Sequence, residues 1–114
     1  MIVYGIPNCD TVKKAISWLN KNKIAYEFHD YKKAGITADK IKTWIKQVGI
    51  EVVINKKSTT WKTFTTNQQS AIANSEGIAL IVKNPTVIKR PLLEEKGKVI
   101  IVGFDEEEYV SKLK

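Results

Sequence analysis

Apolar residues open the chain as a block. "IVYGI", residues 2 to 6, runs without a charged position and is closed by Pro7 and Asn8. An apolar run of that length, stopped by turn residues, predicts a short buried strand. From Thr11 the period changes. Val12, Ala15, Ile16 and Leu19 recur at helical spacing until "NKNK", residues 20 to 23, ends the pattern. Ile24, Tyr26 and Phe28, with Tyr31 as a further candidate, then alternate with Ala25, Glu27 and Asp30 and predict a second strand. A strand-helix-strand unit implies two parallel strands joined by a right-handed crossover.

Helical periodicity returns in "AGITADKIKTWIKQVG". Thr37 is the expected N-cap, Ile41, Trp44, Ile45 and Val48 form the apolar face, and Gly49 is the expected stop. Residues 50 to 84 are less regular. "EVVINKK" suits a short strand or a helical turn, and "SAIANSEGIALIVKNP" reads as mainly helical. "TVIKRPLLEEKGKVIIVGF" predicts two strands around a tight turn at Lys96-Gly97, and "DEEEYVSKLK" a closing helix with acids first and lysines last, as the helix dipole favours. The expected fold class is α/β, with a central mixed β-sheet flanked by helices.

At 114 residues one domain is the default, and 43% hydrophobic with 27% charged residues suits a globular protein. One cysteine makes no internal disulfide, and the start of the chain lacks a signal-peptide pattern, so a cytoplasmic, reducing location is expected. No apolar run approaches the roughly 20 residues of a membrane helix. The net charge is +7, and without the "DEEE" cluster the body is more basic still: residues 1 to 104 carry 17 basic and 8 acidic side chains. Such a surface attracts anions in general. Eighteen of the 19 basic residues are lysines, whereas bidentate phosphate recognition favours arginine, so direct nucleic-acid binding is not expected.

Two residues carry candidate chemistry. Cys9 falls between the first strand and the first helix, where free N–H groups and the helix dipole stabilise an anion such as a thiolate. Lys13, one turn on, leans back toward the sulfur, and Thr11 offers a hydroxyl. The competing reading is a small hydrophobe, a common use of free cysteine. Arg90, the single arginine, precedes Pro91 in "NPTVIKRPLL". Arg90–Pro91 is a candidate cis peptide, and a guanidinium holds a carboxylate or a tetrahedral oxyanion bidentately where lysine cannot. Its competing reading is a surface ion pair with Glu94 or Glu95. One cysteine and one histidine cannot supply the four ligands of a zinc site, so no metal is expected.

Together these motifs resemble the arsenate reductase (ArsC)-like family, which includes the Spx regulators and YffB-type proteins. "YGIPNCDTVKKA" resembles its active-site strand, loop and helix; "INKKSTTWK" its middle motif; "NPTVIKRPLL" its arginine–cis-proline segment; and "VGFDEEEY" its closing motif. The YffB-type branch is the most similar. The resemblance implies a single domain over residues 1 to 114: a thioredoxin-like fold with a core at about 1–33 and 85–114 and a helical insertion at about 36–84. It implies Cys9 as nucleophile, Arg90 in the oxyanion site, and Asn8, Thr11, Lys13, Asn55 and Pro91 around the substrate. Asn55 falls where arsenate reductases proper carry a second arginine, and "KVIIVGF" has no counterpart to their third, which argues against an efficient arsenate cage. The Spx Cys-x-x-Cys switch is absent, since the turn reads Cys9-Asp10-Thr11-Val12. Two functions therefore stand. One is a monomeric thiol-dependent oxidoreductase with no bound cofactor, reduced by glutathione, a glutaredoxin-type protein or another thiol. The other is an Spx-like regulator that binds RNA polymerase. An inactive family member is a third possibility.

Overall fold

The first apolar block forms β1 (Ile2–Gly5), an inner strand of a four-stranded sheet. This is a computed structural model, and it describes all 114 residues. They divide into two compact units, Met1–Ala34 with Arg90–Lys114, and Gly35–Lys89.

In the first unit, β1 leads through the Cys9 turn into α1 (Asp10–Lys21) and then β2 (Glu27–Asp30). β2 runs parallel to β1, with Ile2 opposite Glu27 and Gly5 opposite Asp30. On the other side β1 pairs antiparallel with β3 (Leu92–Glu95), Tyr4 opposite Leu92, and β3 pairs with β4 (Lys98–Val102). The strand order is β2-β1-β3-β4. Lys96 and Gly97, both at positive φ, close the β3–β4 hairpin, as two-residue hairpin turns require.

Side chains alternate across the sheet, so its two faces differ. Val3, Leu93 and Ile101 join Ala15, Trp18 and Leu19 of α1 and Tyr109 of α8 (Glu106–Leu113) in an apolar core. Tyr109 anchors it: its ring meets Trp18 edge-on at 5.4 Å, and its Oη donates to the Gly103 carbonyl at 2.7 Å. The opposite face carries Tyr4, Leu92 and Glu94, all buried.

Two strand boundaries differ from the hydrophobic pattern. β2 does not begin at Ile24, because Ile24 closes α1: its N–H donates to the Leu19 carbonyl and that of Lys23 to Asn20, with Lys23 at φ 56°. That is a Schellman cap, and Ile24 is its apolar follower. At the other end Tyr31 leaves the strand and opens α2 (Tyr31–Ala34), because Asp30 Oδ1 accepts the Lys32 N–H at 2.9 Å and turns the chain.

The second unit is helical: α3 (Ala38–Val48), α4 (Ile50–Val53), α5 (Thr59–Thr63), α6 (Thr66–Ser70) and α7 (Ser75–Lys83). Thr37 caps α3 and Gly49, at φ 87°, ends it. Side chains of Ser58, Thr65 and Asn74 cap the three later helices. "EVVI" resolves as the helical turn α4, while Ile54 makes one bridge to Ile88. The strand expected from Thr86 starts only at Leu92, because Pro85–Val87 winds into a 3-10 turn.

Gly5 lets α1 sit close to β1. A Cβ at Gly5 would lie 2.8 Å from Val12 Cγ2, and Val12 is fully buried in the first turn of α1. Gly5→Ala should therefore displace that turn and destabilise the fold by about 1–3 kcal/mol, seen as a lower midpoint in urea unfolding.

Candidate functional site

Cys9 lies in the turn that leads from β1 into α1. β1 stops at Gly5, Ile6 is buried, and Pro7 and Asn8 are exposed as the chain turns. Cys9 is then the N-cap residue of α1, in extended conformation and partly exposed. Its side chain makes no capping hydrogen bond, yet the N–H groups of the first helical turn favour charge on the sulfur. Burial alone would raise the thiol's pKa. Opposing it, the backbone N–H of Val12, the guanidinium of Arg90 through a hydrogen bond and its charge, and the backbone N–H of Thr11 all favour the thiolate, and the net shift is downward. A thiolate is the reactive form of cysteine.

Arg90 reaches this point because of strand pairing. The antiparallel ladder ends with Tyr4 opposite Leu92, so Arg90, two residues before Leu92, lies at the same end of the sheet as the turn that follows β1. The Arg90–Pro91 peptide is cis, and Pro91 is buried.

The Tyr4 face of the sheet carries a polar aromatic cluster. Glu94 is 2% exposed and accepts a hydrogen bond from Tyr4 Oη at 3.0 Å. The Tyr4 ring packs against His29 at 4.7 Å and Tyr31 at 6.2 Å. Burial, followed by the bond to Glu94 and its charge, pushes the Tyr4 hydroxyl well above the ordinary phenol range. A signal existed in "LLEE": period two places Glu94 on the face of Leu92. Glu94 is thus a buried acceptor, and Glu95 pairs with the Met1 ammonium at 3.2 Å.

The remaining site candidates separate. Thr11 acts on Cys9 through its backbone N–H, while its side chain is exposed. The cation acting on the sulfur is Arg90 and not Lys13; Lys13 is exposed and its N–H donates to the Cys9 carbonyl at 2.9 Å, as the helix requires. Lys13 instead borders a groove of about 710 Å³ with Pro7, Ile16, Tyr26, Phe28 and Lys33. Asn55 belongs to the helical unit, where its Oδ1 accepts the Lys57 N–H at 3.0 Å. No group of three or more His, Cys, Asp or Glu residues is placed to hold a metal ion, and no helix is long and apolar enough to cross a membrane.

A mixed sheet flanked by helices, with a cysteine at the first strand-to-helix turn and a proline-led strand beside it, defines a thioredoxin-like α/β protein. The ArsC family model matches residues 4–111, and the chain belongs to the ArsC family. The solved YFFB (PA3664) protein is 38% identical, with a TM-score of 0.90 over 99% of this chain and 98% of that one. An arsenate reductase (ArsC) related protein from Brucella melitensis is also 38% identical, with a TM-score of 0.77 over 99% and 93% of the two chains. The global transcriptional regulator Spx 2 of Bacillus anthracis is 26% identical over 110 residues, 95% of this chain and 82% of that protein.

The site makes a prediction with a definite sign. Removing the guanidinium takes away a favourable charge and a hydrogen bond from the thiolate, so Arg90→Ala should raise the Cys9 pKa. Iodoacetamide alkylation followed against pH should show its midpoint moving to higher pH, with a smaller move in Arg90→Lys.

Proposed function

We propose that this protein is a cytoplasmic thiol-disulfide oxidoreductase that uses Cys9 and draws its electrons from an external thiol, glutathione or a glutaredoxin-type protein. The observation that carries the reading is the Cys9 sulfur, held toward its thiolate by Arg90 and the first-turn N–H groups of α1. In the first step the Cys9 thiolate attacks one sulfur of a disulfide RS–SR′. The Cys9–SR bond forms, the S–S bond breaks, and R′S⁻ leaves and takes a proton from solvent. In the second step an external thiolate R″S⁻ attacks the SR sulfur, releases RS–SR″ and returns Cys9 as thiolate. The net change reduces R′S– to R′SH and joins RS– to R″S–. A second protein cysteine is not needed for this cycle, and the chain has none.

Each residue has a part. Arg90 stabilises the thiolate in both steps and presents its fork to the anionic group of the incoming disulfide. The groove bordered by Pro7, Ile16, Tyr26 and Phe28 starts two residues from Cys9 and supplies an apolar bed for the substrate's body. Reduction of arsenate suits this site less well, because one guanidinium gives little charge to a tetrahedral dianion beside a thiolate.

Incubation with oxidised glutathione and mass spectrometry test the reading. A single glutathione adduct on Cys9 is expected, removed by free glutathione and absent in Cys9→Ser. Arg90→Ala should lower kcat/KM for glutathione-linked disulfide reduction by about 10–100-fold, the loss of one charge-assisted hydrogen bond. A Cys9 that gives no adduct at a pH where it is alkylated defeats the proposal.

The Spx 2 likeness supports a second reading, a regulator that binds RNA polymerase. Retention of polymerase from extract by wild type and Cys9→Ser alike, without disulfide reduction, would favour it.

A further inference from the structure

The core does not close over along the β2 edge of the sheet. β2 is an outer strand. Tyr26, Phe28 and Asp30 share one side of it by the period of two, and Lys13, Ile16 and Ser17 share one side of α1. These two rows border the groove of about 710 Å³ that begins at Pro7. Tyr26 and Phe28 pack against the Val3 core yet stay only partly buried, and Ile16 is half-buried. Beside β4 the same core is closed by the fully buried Tyr109 of α8. The opening therefore lies at one edge, next to the Cys9 turn.

Its two ends differ in chemistry. β1 and β2 run parallel and α1 returns between them, so Pro7, Lys13, Asp30 and Lys33 gather at the Cys9 end. Ile16 and Tyr26 lie toward the other end. The ammoniums of Lys13 and Lys33 enter no ion pair of the protein's own. The one acid here, Asp30, already accepts the Lys32 N–H at 2.9 Å. Helix rise sets the spacing: from Cys9 it is about 6 Å along the axis to Lys13 and about 10 Å to Ile16. An extended peptide covers these distances in about two and three residues.

We propose that this groove receives an acidic peptide segment of the protein whose cysteine carries the disulfide that Cys9 attacks. A carboxylate about two residues from that cysteine meets Lys13 and Lys33, and an apolar side chain about three residues from it lies against Ile16 and Phe28. The assignment rests on the thiol-exchange reading and names its substrate class. A two-carbon disulfide would leave most of a groove this size empty, whereas a short peptide fills it.

Three peptides test the order of groups: Ac-Leu-Glu-Ala-Cys-Ala-Glu-Leu amide, its Lys-for-Glu counterpart and its Ala-for-Leu counterpart. Their symmetry serves either chain direction. Each is presented as its 2-pyridyl mixed disulfide, which gives all three one neutral leaving group. The Cys9 thiolate attacks the peptide sulfur, the new S–S bond forms as the old one breaks, and pyridine-2-thione leaves with a proton. Wild type should react about tenfold faster with the Glu peptide than with the Lys peptide, and about fivefold faster with Leu than with Ala. In Lys33→Gln the Glu-to-Lys ratio should fall about threefold. That ratio is independent of the Cys9 pKa, because the same thiolate attacks both peptides. Lys98→Gln removes an equal charge at the opposite edge and end of the sheet and should leave the ratio unchanged. A Lys98→Gln effect as large as that of Lys33→Gln overturns the proposal, since attraction would then be long-range only. Equal rates for Leu and Ala overturn it too, as does an equally fast reaction with the 2-pyridyl disulfide of 2-mercaptoethanol. If Cys9 reacts with none of these disulfides, the thiol-exchange reading fails and the groove is judged by binding. Cys9→Ser is titrated with the Ser-for-Cys form of the Glu peptide while the Tyr26 and Phe28 ring resonances are followed by NMR. A saturating shift supports the docking groove, and unmoved rings end it.

Discussion

The action of the Arg90 guanidinium on the Cys9 sulfur is the interaction on which the proposed chemistry depends. Burial of the sulfur works against a thiolate, and two N–H groups with one guanidinium overcome it. None of these groups is close to the others by chance. The N–H groups are present because α1 begins at the residue after Cys9, and α1 can begin there because Gly5 leaves room for Val12. The guanidinium is present because β3 pairs with β1 in one register. A shift of one residue would turn Leu93 out of the core and carry Arg90 away from the Cys9 turn. The same ladder thus holds the apolar core together and assembles the site, so register errors are penalised by packing well before they affect chemistry.

The two faces of the sheet divide the work. The Val3 face is closed by Trp18, Leu19 and Tyr109 in dry, edge-on aromatic contacts. The Tyr4 face buries a carboxylate and a tyrosine pair. Burying Glu94 is costly, and the 3.0 Å bond from Tyr4 offsets part of that cost. A protein selected for stability alone would fill these positions with leucine and phenylalanine. Their polarity sets this face apart from the apolar core on the other side.

Legibility in the sequence follows physical range. Local signals read correctly: the buried run of β1, the helical spacing of α1, the Thr37 cap and the Lys96-Gly97 turn each depend on neighbours within a few residues. Cys9 as an anion-stabilising helix start is local in the same sense. Position 31 is harder, because alternation extends the strand through Tyr31 while one side-chain bond from Asp30 turns the chain there. Lys13 and Arg90 show the limit most clearly. Helix geometry alone nominates Lys13 as the cation at the sulfur, and only the pairing of strands some ninety residues apart gives that place to Arg90. Glu94 sits between the two cases. Its face follows from alternation, but its burial and its tie to Tyr4 need the assembled sheet.

Charge economy then connects the site to its substrate. A site that stabilises its own thiolate has already committed part of its single guanidinium before any ligand arrives. What remains is one shared positive charge. Additional arginines would accommodate a dianion, but in a chain whose other 18 cations are lysines they are not present. The lysine-rich body attracts anions at long range without selecting among them, so on the thiol-exchange proposal selection belongs to the Cys9 turn. There it falls to one planar fork, one turn of helix N–H groups and a groove with an apolar bed. Under the thiol-exchange proposal, that combination suits a single negative charge better than a compact dianion.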